Sequence, residues 1–172
     1  MNAVMENLLT RRSVRAFEEK EIPQEVMEQL VQAALYAPSA RGLQTWQFTV
    51  VTDRDKIQEL AAVMAAELGR SDYDMYAPQA LIIPSNEADS PYGREDNACA
   101  LENIFLAAWS FGVGSVWINQ LHGLCGRPAI REILKKWGIP DSHVVYGMAA
   151  LGYPAQEPKK EVQKTGKVVY VQ

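Results

Sequence analysis

Cysteine and histidine are scarce, two of each in 172 residues. Cys99 and Cys125 have no CxxC neighbour and form no metal-like cluster with His122 or His143, so a structural zinc site is excluded and no metal is expected. Cys99 falls on a helical pattern and reads as a small core residue. No apolar stretch approaches the ~18 residues that a membrane-spanning helix needs. Met1 to Thr10 contains Glu6 and lacks a basic segment followed by an apolar run, the mark of a secretory signal. Cytoplasmic residence with no membrane partner is the expectation. Basic residues are also outnumbered, 17 against 21 acidic ones, for a net charge of -4, and no basic stripe with interleaved aromatics appears. That balance excludes wholesale nucleic-acid binding. The phosphate-loop Gly-Lys-Ser/Thr is missing as well. Gly112-Val113-Gly114 follows a helical pattern and precedes a strand-like one, the reverse of the dinucleotide fingerprint.

Against that background the concentration of cations at Arg11-Arg12-Ser13-Val14-Arg15 stands out. A charge run alone reads as solvated surface. On an acidic chain, however, arginine forks and a serine hydroxyl on one short segment suit a local anion such as phosphate. The composition, 48% hydrophobic and 22% charged, is that of an ordinary globular chain, and the length suits a single domain spanning residues 1–172.

Hydrophobic periodicity supplies the elements. Val4, Met5, Leu8 and Leu9 mark a short opening helix. Pro23 stands as a first helical residue before an apolar face running to Tyr36, and Ala37-Pro38-Ser39 ends that helix. Trp46 to Val51 reads as a strand. Asp53 reads as the N-cap of a helix closed by Gly69. Ala80 to Ile83 is a strand buried on both faces. Arg94 to Phe111 is the longest helix, stopped by Gly112. Ser115 to Ile118 is a buried strand, Pro128 opens a helix ending at Gly138, and Val144 to Leu151 is a further strand. The polar stretch from Ala155 to Lys167 leads to Val168-Val169-Tyr170-Val171, a terminal strand-like cluster that needs a sheet to join, its own or a partner's.

Three segments beyond the arginine cluster could carry chemistry. Pro38-Ser39-Ala40-Arg41-Gly42-Leu43-Gln44-Thr45-Trp46 is a helix-to-strand turn able to offer backbone groups to a planar ligand. The second is Gly112 to Gln120. The third is Gly152-Tyr153-Pro154 with Lys159, Lys160, Lys164 and Lys167 behind it. Trp46, Trp109 and Trp137 read as packing residues, and Trp117 as the ring-stacker. His122 and His143 have no visible partner for general-base work. Asp96 and Glu102 read as helix capping, charge balance or packing.

In this order and spacing the segments resemble the nitroreductase family of flavin mononucleotide (FMN) enzymes nearly end to end. The resemblance rests on the Arg-Ser-x-Arg cluster, Pro38-Ser39-x-x-x-x-Gln44-x-Trp46, the helix around Asp96 to Asn103, Gly112 to Trp117, and Leu151-Gly152-Tyr153-Pro154. It implies an α+β fold with a mixed, largely antiparallel central sheet flanked by helices, and an intertwined homodimer with a C-terminal arm, residues 155–172, reaching the partner subunit. Arg11 and Arg15 would approach the flavin phosphate or ring edge. Arg12 and Ser13 would bond ribityl and pyrimidine groups. Pro38, Ser39 and Ala40 would come from the second subunit, and Gln44 of the same turn would also bind the cofactor. Trp117, Ile118, Asn119 and Gln120 would line the isoalloxazine, and Lys160 or Lys164 would complete the phosphate site. The implied activity is NAD(P)H-dependent reduction of small oxidants such as nitroaromatics or quinones in alternating half-reactions, with the chemistry on the flavin and no catalytic side chain. A specialised enzyme of the same fold (dehydrogenase, dehalogenase or flavin-cleaving) and a flavin-binding redox sensor or carrier are the alternatives. The chain departs from the family pattern at Gly42, where Asn is common, at Thr45, where Pro is common, and at Gln163, where an Arg is often found.

Overall fold

The computed structural model describes residues 1–158 and 162–172. Among these residues six α-helices and five strands follow one another, with a 3-10 turn (Ala40–Gly42) between α2 and β1: α1 (Ala3–Thr10), α2 (Gln24–Leu35), β1 (Trp46–Val51), α3 (Arg54–Leu68), β2 (Ala80–Glu87), α4 (Gly93–Ser110), β3 (Gly114–Ile118), α5 (Gln120–Leu124), α6 (Pro128–Lys136), β4 (His143–Val144) and β5 (Met148–Gly152). The strands form one sheet in the order β1-β2-β5-β3, with β4 also pairing β2. Every named pair is antiparallel. The parallel component is the single bridge between Ser13 and Ser115.

Strand periodicity divides the core into two layers, because successive side chains leave a strand on opposite faces. Leu81 and Ile83 of β2 and Met148 and Ala150 of β5 pack with α3, α5 and α6. Ala80, Ile82, Ala149 and Leu151 face α2 and α4. This two-sided burial explains the continuous apolar run at Ala80 to Ile83. β2 continues past it to Glu87 even though Pro84 interrupts the donors. Pro84 pairs with Phe48 on one side. On its other side β2 pairs with β5 as far as Ile82 and with β4 from Asn86 onward. The missing N–H therefore falls where no ladder bond is required.

Most boundaries agree with the periodicity to within a residue or two. Asp53 caps α3 by accepting from the N–H groups of Asp55 and Lys56, and Gly69 closes the helix in the left-handed conformation. Pro23 is the residue before α2 rather than its first. Three differences are larger. The expected strand from Val144 to Leu151 is two strands, β4 and β5, separated by Val145-Tyr146-Gly147. A Cβ on Gly147 would overlap the Trp117 indole, so the chain gives way there to the ring. The five-residue α5 was not anticipated, being shorter than a periodicity window resolves. Val168 to Val171 joins no strand of its own chain, and all four side chains are exposed.

The segment from Ser13 to Glu18 straps the edge of the sheet. Val14 donates its N–H to the Ser115 carbonyl at 2.9 Å, Glu18 donates to Tyr153 at 2.8 Å, and Ala155 donates to Ala16 at 3.0 Å. Two glycines permit this approach: a Cβ at Gly114 would lie 2.7 Å from Val14, and one at Gly152 would lie 2.8 Å from the Phe17 ring. Overpacking at such a site costs about 1–3 kcal/mol. Gly114→Ala should therefore lower unfolding free energy by about that amount in a denaturant titration, and Val14→Ala in the same chain should recover part of the loss.

His143 in β4 lies 3.0 Å from the Ser85 hydroxyl through Nδ1. Burial pushes its pKa below the ordinary 6.5, outweighing the neighbouring Glu87 carboxylate, which acts the other way. The folded state thus holds this proton less tightly than the unfolded state. Stability from this residue is complete above about pH 6.5 and declines as pH falls from there through the lower folded value. Thermal melts over that range should show a shallower pH dependence for His143→Gln than for the natural chain.

Candidate functional site

The strap delivers the arginine cluster to a surface cleft of about 620 Å³. Arg11, Arg12, Ser13 and Arg15 form one wall, and Gln156, Glu157, Pro158, Val162 and Lys164 of the C-terminal arm form the other. Each arginine is placed by a separate contact. Arg12 donates from Nη1 to the carbonyls of Leu9 and Arg11 at 2.8 and 2.7 Å. The Arg11 guanidinium lies 5.9 Å from the Phe105 ring centre, with its Nε 3.9 Å from a Glu102 carboxylate oxygen. Arg15 lies 5.9 Å from the ring centre of Tyr76. Among the described residues, three arginines and one lysine line the cleft together with one carboxylate, Glu157. The donor set fits a phosphate, whose oxygens accept charge-assisted bonds from guanidinium forks and a hydroxyl. The volume is within the range of small-molecule and cofactor sites.

Among the described residues, Pro38, Ser39, Ala40, Gln44 and Trp117 to Gln120 do not line this cleft within one chain. Pro38, Ser39, Ala40 and Gln44 belong to the turn between α2 and β1. Ser39 Oγ donates to one Asp96 carboxylate oxygen at 2.7 Å, and Ala40 N–H donates to the other at 3.0 Å. Gln44 N–H donates to Ser39 Oγ at 2.9 Å. Arg41, Gly42 and Gln44 all take positive φ, so the turn is held in an uncommon backbone shape by these bonds. Asp96 is buried in the first turn of α4, where a carboxylate is also favoured by the helix dipole. The sequence reading of Asp96 as a cap or packing residue missed this role. At the next residue, Thr45 Oγ1 bonds Asn86 Oδ1 at 2.6 Å and Ser90 Oγ at 3.2 Å.

Trp117 projects from β3 toward the α4 side and remains 37% exposed, with its ring 6.2 Å from Phe105. Phe105 therefore neighbours both the Arg11 guanidinium and the Trp117 indole. Asn119 is exposed and Gln120 half-buried at the start of α5. Ile118 is 2% exposed in the layer of α3, α5 and α6, so only its backbone is available to a ligand. Lys160 lies outside the described residues. His122 is absorbed into contacts with Arg94 and Tyr146, a grouping that no local pattern signals because the three are far apart in sequence.

The family description "Nitroreductase family" matches residues 8–153. The chain belongs to the nitroreductase family. A nitroreductase from Bacteroides fragilis NCTC 9343, solved with bound FMN, superposes with a TM-score of 0.94 at 37% identity, covering 100% of both chains. An NADPH-flavin oxidoreductase of Vibrio harveyi is 34% identical over 98% of this chain and 73% of its own length. An FMN-dependent nitroreductase of Clostridium difficile R20291 is similar in fold, with a TM-score of 0.90 at 21% identity and 99% coverage of both chains.

Removing the Asp96 carboxylate leaves the Ser39 hydroxyl and the Ala40 N–H without their acceptor, at a cost of about 1–3 kcal/mol. Asp96→Ala should lose stability in that range, and amide exchange at Ala40 should accelerate more than exchange in β5.

Proposed function

We propose that this chain is an FMN-dependent oxidoreductase that uses NAD(P)H to reduce small oxidants such as nitroaromatics or quinones. The observation that carries the reading is the cleft in which Arg11, Arg12, Ser13, Arg15 and Lys164 converge on one anion-sized set of donors. The FMN-bound relative of the same length and fold supports the identity of the ligand. Bound FMN supplies the electron relay between reductant and oxidant.

The protein's own part is binding and orientation. The arginines and Lys164 hold the phosphate of the cofactor, and the cationic wall favours negative charge beside it. The Trp117 face and the backbone from Ile118 to Gln120 offer the surface for the planar ring system. NAD(P)H and the oxidant take turns at that surface, which is the ping-pong order. For a nitro compound the overall step is ArNO2 + NAD(P)H + H+ giving ArNO + NAD(P)+ + H2O. Protons come from solvent, and no side chain serves as acid or base.

The same reading requires a homodimer. Within one chain the turn at Pro38 to Gln44 does not line the cationic cleft, so a second subunit would bring it there. Val168 to Val171 and the outward residues Val4, Met5, Leu8 and Leu9 of α1 are exposed apolar surface consistent with burial against that subunit. The arm, residues 155–172, would reach across the partner.

Purified chain should carry visible flavin absorbance, oxidise NADH or NADPH in the presence of a nitroaromatic or quinone, and sediment as a dimer. A chain that takes up no flavin even after reconstitution would overturn the proposal. Arg11→Ala combined with Arg15→Ala should weaken FMN affinity about tenfold or more, read by flavin fluorescence on dilution, while the melting temperature of the flavin-free protein changes little.

A further inference from the structure

The first turn of α4 holds an arginine that the phosphate cleft does not use. Arg94 makes no ion pair with a carboxylate among the described residues. Its guanidinium lies 5.7 Å from the ring centre of Tyr146, and its Nη2 is 3.5 Å from His122 Nε2. Tyr146 and His122 are themselves 5.3 Å apart, with ring planes inclined at 40°. The guanidinium has donors only, and His122 Nε2 is the ring atom nearest to it.

Close backbone approach fixes where this cluster sits. A Cβ on Gly93 would lie 3.4 Å from Tyr146 Cε2, so the ring rests directly on the start of α4. Gly147, next to Tyr146, lies under the Trp117 indole. His122 is two residues beyond Gln120 on α5. The cluster, drawn from α4, α5 and the connection between β4 and β5, is therefore close in the chain to both Trp117's neighbour Gly147 and Gln120, and Arg94 is exposed to solvent.

The geometry points to Arg94, with Tyr146 and His122, as a specificity site for the carboxylate of a planar aromatic acceptor, a nitrobenzoate-like monoanion rather than a neutral nitroarene. The Arg94 guanidinium carries one positive charge, matched to a carboxylate. A phosphate monoester carries nearly two negative charges and would be under-compensated there. The planar guanidinium fork suits bidentate carboxylate recognition, and the Tyr146 face behind it keeps it oriented. This inference rests on the oxidoreductase reading for its chemistry but has a binding readout of its own.

Flavin-loaded natural chain and Arg94→Gln are compared with 4-nitrobenzoate and its methyl ester as acceptors at a constant NADH concentration, and benzoate is titrated calorimetrically into each protein. The ratio of kcat/KM for acid over ester should fall about tenfold in Arg94→Gln, mainly through KM for the acid. Arg94→Lys should retain part of the preference, and benzoate binding should be lost with Arg94→Gln. An unchanged ratio, or benzoate binding that survives Arg94→Gln, overturns the inference. So does a loss confined to NADPH relative to NADH, which would assign Arg94 to the reductant. Benzoate binding can be read whatever the flavin content. A chain that binds benzoate through Arg94 yet shows no flavin turnover would therefore overturn the proposed function and leave the anion site standing.

Discussion

The contact between the Ser13–Glu18 strap and the edge of the sheet is the constraint on which the rest of the site depends. Arginines on a free segment would repel one another and spread into solvent. Here the backbone carrying them is tied to β3 through the Ser115 carbonyl and to the chain after β5 through Tyr153 and Ala155. The bonds form because Gly114 and Gly152 leave room for Val14 and Phe17. Two missing methyl groups in the sheet thus hold the backbone of a cationic wall on the surface.

Helix α4 relates this wall to the other parts of the site. Asp96 at one end pins the Pro38–Gln44 turn, while Glu102 and Phe105 farther along meet Arg11. From Asp96 to Glu102 is a rise of about 9 Å. A helix buried among both α2 and the sheet is stiff, so turn and arginine cluster keep a set separation within one subunit. Under the proposed function, a second copy would bring its turn to the cleft that this separation leaves without one. Phe105 contacts both Arg11 and Trp117 through packing rather than hydrogen bonding.

Much of the architecture was legible in the chain because its signals are local. The two-sided strand at Ala80 to Ile83, the Asp53 cap, the Gly69 stop and the long α4 all follow from periodicity and capping chemistry acting over a few residues. The break at Tyr146-Gly147 was not, since nothing local announces that a tryptophan thirty positions upstream will occupy the space above Gly147. Pro84 inside β2 is of the same kind: it argues against a central strand until the switch of partner from β5 to β4 is seen. The site divides likewise. Arg11, Arg12, Ser13 and Arg15 were visible as a concentration of charge. The carboxylate of Asp96 under Ser39, and the grouping of Arg94 with Tyr146 and His122, needed the fold to bring distant residues together.

By itself the sequence determined the element types, the two apolar faces of the central strands, and a phosphate-like donor set on a short acidic-chain segment. These depend on side-chain spacing and chemical type, which are written one residue after another. Only the tertiary structure decided that Lys164 shares a cleft with the arginines, that Ile118 turns its side chain into the core, and that the Arg94 guanidinium stands over the Tyr146 ring. Those facts depend on strand register and on close packing at glycines, quantities set by the whole core together and carried by no single stretch of chain.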